Sequence, residues 1–218
     1  MTQGYKMSPA TYSGVTHATH VETGVRQTAM MDFDYRSSLS RRLRAVHSLY
    51  EEACASMDAE QVNRVVVPGV LPIAFSLVHQ VLIEDGSLVF VGGPTPLMSE
   101  TWAARMGLAI NDPGKEKGVD EMMNQRIGDY EAFLQFQRLV FDASEHFVAA
   151  IDPTTFSDVV VAHPYGAALA RTFSARVGGE SGITRSDALE CWVYQHALRH
   201  MGEIEHARAL VGLTGMTS

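Results

Sequence analysis

The sequence predicts an all-α fold built as a four-helix bundle. Three observations predict it: four long segments whose apolar residues recur at steps of three and four, no persistent two-residue alternation of the kind strands show, and no internal repeat. Between the long segments lie two longer loop regions, and in front of them lies an N-terminal extension.

The first long helix is read from Tyr35 to Met57, where Leu39, Leu43, Val46, Tyr50, Ala53 and Met57 fall on one face. A short helical turn follows at Asp58 to Asn63. The stretch VVVPGVLP then breaks the pattern, because its prolines lack an amide hydrogen and Gly69 favours a turn. The second long helix starts near Pro72, carries Phe75, His79, Leu82, Gly86 and Val89 on one stripe, and stops at Gly92, Gly93 and Pro94. Pro94 to Gly118 is the first loop region, with a short helix around Ser99 to Met106. The third long helix is read from Asp120 to Ile151, on Tyr130, Phe133, Gln137, Val140, Ser144, Phe147 and Ile151, and ends at Asp152 and Pro153. Thr154 to Gly182 is the second loop region, with a VVVA run and a short helix at Tyr165 to Arg176. The last helix opens on a capping box, Thr184 with Asp187, and closes at Gly212. Its stripe runs Leu189, Val193, His196, His200, Ile204, Ala207, Val211. The domain boundaries that result are an extension over 1–33, the bundle over 34–212 and a tail over 213–218.

Composition excludes several classes of function. With 25 acidic and 17 basic residues in 218, the formal charge is −8, which provides no electrostatic footprint for nucleic acid or anionic lipid. Cys54 and Cys191 have no CxxC or CxxH neighbour, so neither a disulfide framework nor a thiolate metal site is expected, and both read as buried thiols. The polar start MTQGYKMSPATYSG lacks the apolar stretch of a signal peptide, so a cytoplasmic location is expected. The most apolar run, Leu71 to Val91, holds Ser76, His79, Gln80, Glu84 and Asp85, and no membrane partner is expected.

His196 and His200 are four residues apart and so project from one helix face a turn apart. Alone, an HxxxH pair is more often two hydrogen-bonded or edge histidines than a metal grip. Both, however, fall on the apolar stripe of the last helix, and His79 falls on that of the second. Three imidazoles directed at one interior need partners, and a metal ion satisfies all three.

Two segments carry a family resemblance. MDAEQVNRVVVPGVLPIAFSLVHQVLIEDGSL, Met57 to Leu88, resembles the DinB superfamily pattern of a short acidic helix with Glu-Gln, a Pro-Gly turn, and a helix bearing one His followed by Glu-Asp. YQHALRHMGEIEHARALVG, Tyr194 to Gly212, resembles that family's closing helix, with HxxxH followed by Gly and an acidic residue. The order and separation of the segments match as well, and with the other two helices the resemblance spans about Asp34 to Gly212. It implies a DinB-like bundle in which His79, His196 and His200 hold a divalent metal and leave positions open to water or substrate. It also implies thiol-dependent transferase or isomerase activities of the kind that use mycothiol, bacillithiol or glutathione. The front extension and the long Thr154 to Gly182 segment depart from the family pattern.

Other features carry less. His17 and His20 form HxxH in the extension, more often a solvated coincidence than a second site, and His47, His146 and His206 read as surface or core-edge residues. Glu84 and Glu203 lie near the histidines in sequence and would serve as second acceptors or as a base, but helix-end acids are common and no catalytic role is assigned. No GxSxG, phosphate loop or dinucleotide glycine pattern occurs, which disfavours serine hydrolases and nucleotide enzymes.

The leading expectation is thus a metal-dependent enzyme acting on a small electrophilic molecule, with zinc, nickel or iron as the ion and a low-molecular-weight thiol as cosubstrate. A hydrolase of the same fold, and a stress protein that binds a metal and a small molecule without turnover, are the alternatives. A homodimer is expected from the resemblance and from the apolar run Leu88, Val89, Phe90, Val91, which would otherwise fill the monomer core.

Overall fold

The computed structural model describes residues 34–215; the extension over 1–33, with His17 and His20, lies outside the described residues. Four long helical segments make an all-α bundle, as the periodicity predicts.

Helix α1, Tyr35–Ala55, is capped by the Asp34 side chain, which accepts from the Ser37 amide, and buries Leu39, Leu43, Val46, Tyr50 and Ala53 as predicted. Its C-terminal carbonyls are collected from two sides. The buried Arg208 donates to the Ala53 carbonyl at 3.1 Å and Tyr130 to the Cys54 carbonyl at 3.1 Å, which satisfies groups that a helix end leaves without partners. Helix α2, Ala59–Asn63, opens on a capping box between Asp58 and Gln61.

Helix α3, Ile73–Ser87, continues as a 3₁₀ turn over Leu88–Val91 and stops at Gly92, whose φ of 83° closes the end. Of all the described helical stretches, Ile73–Val91 alone is long and apolar enough to cross a membrane, and 67% of its most apolar window is buried inside the protein. It is the central helix of the core, surrounded on nearly every side. The stripe that sequence spacing assigned to the interior is largely its least buried face: Leu82 is buried, but Phe75, His79 and Gly86 are half-buried and Val89 is exposed, whereas Leu77, Val81 and Glu84 are fully enclosed.

Helix α4, Glu100–Met106, lies in the first loop region, and α5, Val119–Met122, follows it where the third long helix is predicted to begin. The third long helix is shorter than predicted. Helix α6 occupies Tyr130–Ala150, because the backbone between α5 and α6 crosses that of Gly107, and a Cβ built on Gly128 would meet the Gly107 carbonyl oxygen at 3.1 Å. Asp129 then caps α6 through the Ala132 amide.

The second loop region begins a ribbon that the helical reading lacks: β1, Val159–Val161, within it pairs antiparallel with β2, Ile183–Thr184, just beyond it, matching Val159 with Thr184 and Val161 with Ile183. Helix α7 covers Phe173–Gly178, later in the chain than predicted.

The last helical run begins as α8, Arg185–Ala188, on the predicted Thr184 and Asp187 capping box. It widens into a π turn over Leu189–Tyr194 and narrows again as α9, Gln195–Leu210. The π turn is tied to α1: Arg42 grips the Glu190 carboxylate with two nitrogens at 2.6 and 3.2 Å and lies 4.6 Å over the Tyr194 ring, while Tyr35 donates to Glu190 at 3.0 Å. Side chains such as Leu43, Leu77, Phe136, Leu189 and Ile204 fill the space between helices with at most 1% of their surface exposed, each contributing about 1.5–3 kcal/mol of burial.

Candidate metal centre

Helix α3 supplies one histidine and α9 two, and these two helices pack closely against each other. His196 and His200 stand one turn apart on α9, and Tyr50 of α1 donates to the Ala197 carbonyl between them at 2.8 Å, fixing α9 at that level. His196 Nε2 lies 3.2 Å from His79 Nε2 and 3.2 Å from His200 Nε2. Two nitrogens bound to one zinc-sized ion at 2.0–2.1 Å and the tetrahedral angle would be about 3.3 Å apart. His196 therefore already has the spacing of a co-ligand to each of the other two, and the three ligand atoms all lie within 4.8 Å of one another. Among the described residues this group consists of His79, His196 and His200, with no Cys, Asp or Glu as a fourth member.

The outer ring nitrogens determine what the inner ones present. His79 Nδ1 faces the carbonyl oxygen of Pro113, which can only accept, so the proton sits on Nδ1 and Nε2 carries a lone pair. His200 Nδ1 lies 2.6 Å from Glu203 Oε2. That hydrogen bond holds the Glu203 carboxyl below the usual range, with a second bond from Ser76 Oγ at 3.0 Å in support, so Glu203 is ionised and accepts from Nδ1. In the neutral imidazole that a metal ligand must be, this bond puts the proton on Nδ1 and the lone pair on His200 Nε2. His196 has one proton at most to offer two lone pairs, and its Nδ1 is buried without a partner. A cation among the three nitrogens resolves that excess of acceptors.

Burial keeps His79 and His196 neutral. His196 is 8% and His200 6% exposed, and His79 is half-buried. Removal from water pushes the His79 imidazole down to about 4 and that of His196 to about 2, with the neighbouring rings adding to the effect. Phe75 stacks on His79 at 5.1 Å and presents its edge to His200 at 6.5 Å, giving one apolar wall. The half-buried His79 and the exposed Glu203 lie on the side of the centre that faces solvent.

The three residues singled out from sequence are thus brought together. Glu203, left without a role, orients His200, and its spacing of three from that histidine is a signal that could have assigned it. Pro113 orients His79 through its backbone and has no such signal. Glu84 belongs elsewhere, and His47 is not at the surface or the core edge: it is 3% exposed, stacked on Phe141 at 3.8 Å, with Nδ1 at 2.8 Å from Glu145. Its Nε2 is 3.0 Å from the fully buried Glu84, an ion contact rather than a linear hydrogen bond. Glu84 also accepts from Ser144 and, at 2.7 Å, from Gln80. The two carboxylates explain why so buried a histidine is retained: burial lowers its pKa, but Glu84 and Glu145 outweigh that and raise it above the ordinary value. His146 and His206 are exposed, as expected. Cys54 is buried and Cys191 half-buried, both thiols pushed up to about 11 by burial and therefore poor nucleophiles.

No family model matches the chain, and no curated protein matches it. Among solved structures it is similar to a conserved protein from Enterococcus faecalis, with 17% identity, a TM-score of 0.66, and coverage of 82% of this chain and 98% of that one. At that identity the likeness establishes a shared helical fold across nearly the whole of the other chain.

Proposed function

We propose that the protein is a DinB-like metal-dependent enzyme that joins a low-molecular-weight thiol to a small electrophilic molecule, or isomerises such a molecule with the thiol's help. The observation that supports this reading is the convergence of three imidazole Nε2 atoms at 3.2 Å steps with no fourth ligand among the described residues. A site closed by four protein ligands stabilises a fold, whereas three leave room for a reactant.

His79, His196 and His200 would hold the ion, which fits zinc, nickel or ferrous iron equally by donor type. When bound, such an ion supplies the positive charge that keeps a thiol as its thiolate at neutral pH. The chain's own groups do the rest. Pro113 and Glu203 keep both outer protons on Nδ1, so the inward nitrogens remain donors of electron pairs. Phe75 walls the centre with an apolar surface that excludes water from one side.

Metal analysis of the purified protein, followed by turnover of electrophiles with mycothiol, bacillithiol and glutathione analogues, tests the reading. Stoichiometric metal with thiol-dependent consumption of an electrophile is the expected result. Stoichiometric metal without turnover in any combination would leave a binding protein, and turnover with water in place of a thiol would make it a hydrolase.

A further inference from the structure

Arg36, Arg41, Arg42 and Arg44 fall within nine residues of α1 that contain no acidic side chain, in a chain whose formal charge is −8. Helical spacing divides them. Arg42 turns to Glu190 and Tyr194 on the π turn. Arg36, Arg41 and Arg44 instead line an open cleft with Ser37, Ser40 and Ala149, of about 310 Å³, at the lower end of the range of small-molecule sites. Ala149 of α6 contributes only a methyl group to the lining.

The carboxylates of this region each have a hydrogen-bond partner other than the arginines, although Asp34 and Asp152 lie close enough to Arg36 to feel its charge. Asp34 accepts from the Ser37 amide at 3.3 Å, and Asp152 accepts from the Thr154 amide at 3.0 Å and its hydroxyl at 2.8 Å. Glu145 holds His47 at 2.8 Å and approaches Arg44 only to 3.9 Å. Arg36 is anchored by a bond from one of its nitrogens to the Ile151 carbonyl at 3.3 Å, and Arg41 has no ion-pair partner among the described residues. Three arginines lining one cleft carry more donors than the two oxygens of a single carboxylate can accept.

We propose that this cleft binds a small polyanion carrying at least two linked phosphate groups, held by forked hydrogen bonds from Arg36, Arg41 and Arg44 with Ser40 as a further donor. Linked phosphates supply both the charge and the number of oxygens that the three forks require. The cleft shares no residue with the three-histidine centre, so the two sites stand or fall separately.

Isothermal titration of the full-length chain with pyrophosphate tests this, on protein stripped of metal and dialysed free of chelator so that the histidine centre takes no part. At low ionic strength one saturable site is expected, weakened by added salt. The exposed pair changed together, Arg41→Gln/Arg44→Gln, should weaken binding by at least about tenfold, with an unchanged circular dichroism spectrum. Arg41→Lys/Arg44→Lys, which keeps the charge and loses the forks, should fall between, and Arg64→Gln, on another segment, should bind as the unaltered protein does. The proposal is overturned if pyrophosphate gives no saturable heat, if the glutamine pair binds it as tightly as the unaltered protein, or if sulfate at matched ionic strength competes equally well.

Discussion

His200 donates from Nδ1 to Glu203 Oε2 at 2.6 Å, less than one turn along the same helix, and this bond decides which of its nitrogens faces His196. Replacing Glu203 by Ala frees the ring to rotate and to change tautomer. Metal affinity should fall by about 10- to 100-fold, read by competition with a chromophoric chelator, while the helical spectrum stays the same. Glu203→Gln, whose amide oxygen still accepts, should lose less. Unchanged affinity in the alanine variant would show that the bond does not tune the centre.

His200→Ala removes one of three ligands. The protein should purify folded, with metal far below one equivalent and without thiol-dependent turnover, since the bundle core does not depend on one ion. Circular dichroism, metal content and turnover belong on the same preparation. An unfolded product would make the metal mainly structural, and a variant that keeps metal and activity would mean that the ligands are wrongly assigned.

His47 should give stability a pH dependence of known sign. Its folded pKa is raised by Glu84 and Glu145 over the opposing effect of burial. The stability it contributes is therefore fully present below the unfolded value of about 6.5 and is lost as pH rises through the higher folded value. Thermal unfolding of the unaltered protein and of His47→Gln, followed upward from pH 6, should show the unaltered protein losing more of its stability over that window. Parallel curves would mean that His47 is neutral in the fold.

Phe136 is fully buried on α6 and packs against Trp102 of α4 at 5.4 Å between ring centres. Phe136→Ala should cost about 3–5 kcal/mol of unfolding free energy, measured by denaturant titration. A loss below 1 kcal/mol would mean that the helices close over the vacated space.

Much of the bundle was legible because its signals are local. The Thr184 and Asp187 capping box, the Gly92 stop and the apolar stripe of α1 each depend on residues a few positions apart. The HxxxH pair His196 and His200 was legible for the same reason, and His79 joined it through its place on the apolar stripe of another helix, a grouping that the family resemblance then supported. What escaped was decided at a distance. The break before α6 comes from two glycine backbones meeting across the fold, and the β1–β2 ribbon joins segments separated by a helix. The burial of His47 and Glu84 required knowing that α1, α3 and α6 bring them face to face. The polarity of α3 was misjudged because a helix enclosed on nearly all sides has no single apolar face to read.

The acceptor that orients His79 is the main-chain oxygen of Pro113, in a loop between short helices. A main-chain oxygen is present whatever side chain the position carries. Over evolutionary time this loop can exchange most of its residues and keep the same acceptor, provided its path is preserved. The heritable record of the centre is then reduced to three histidines and one carboxylate on two helices, and two chains could share such a centre while agreeing at little else.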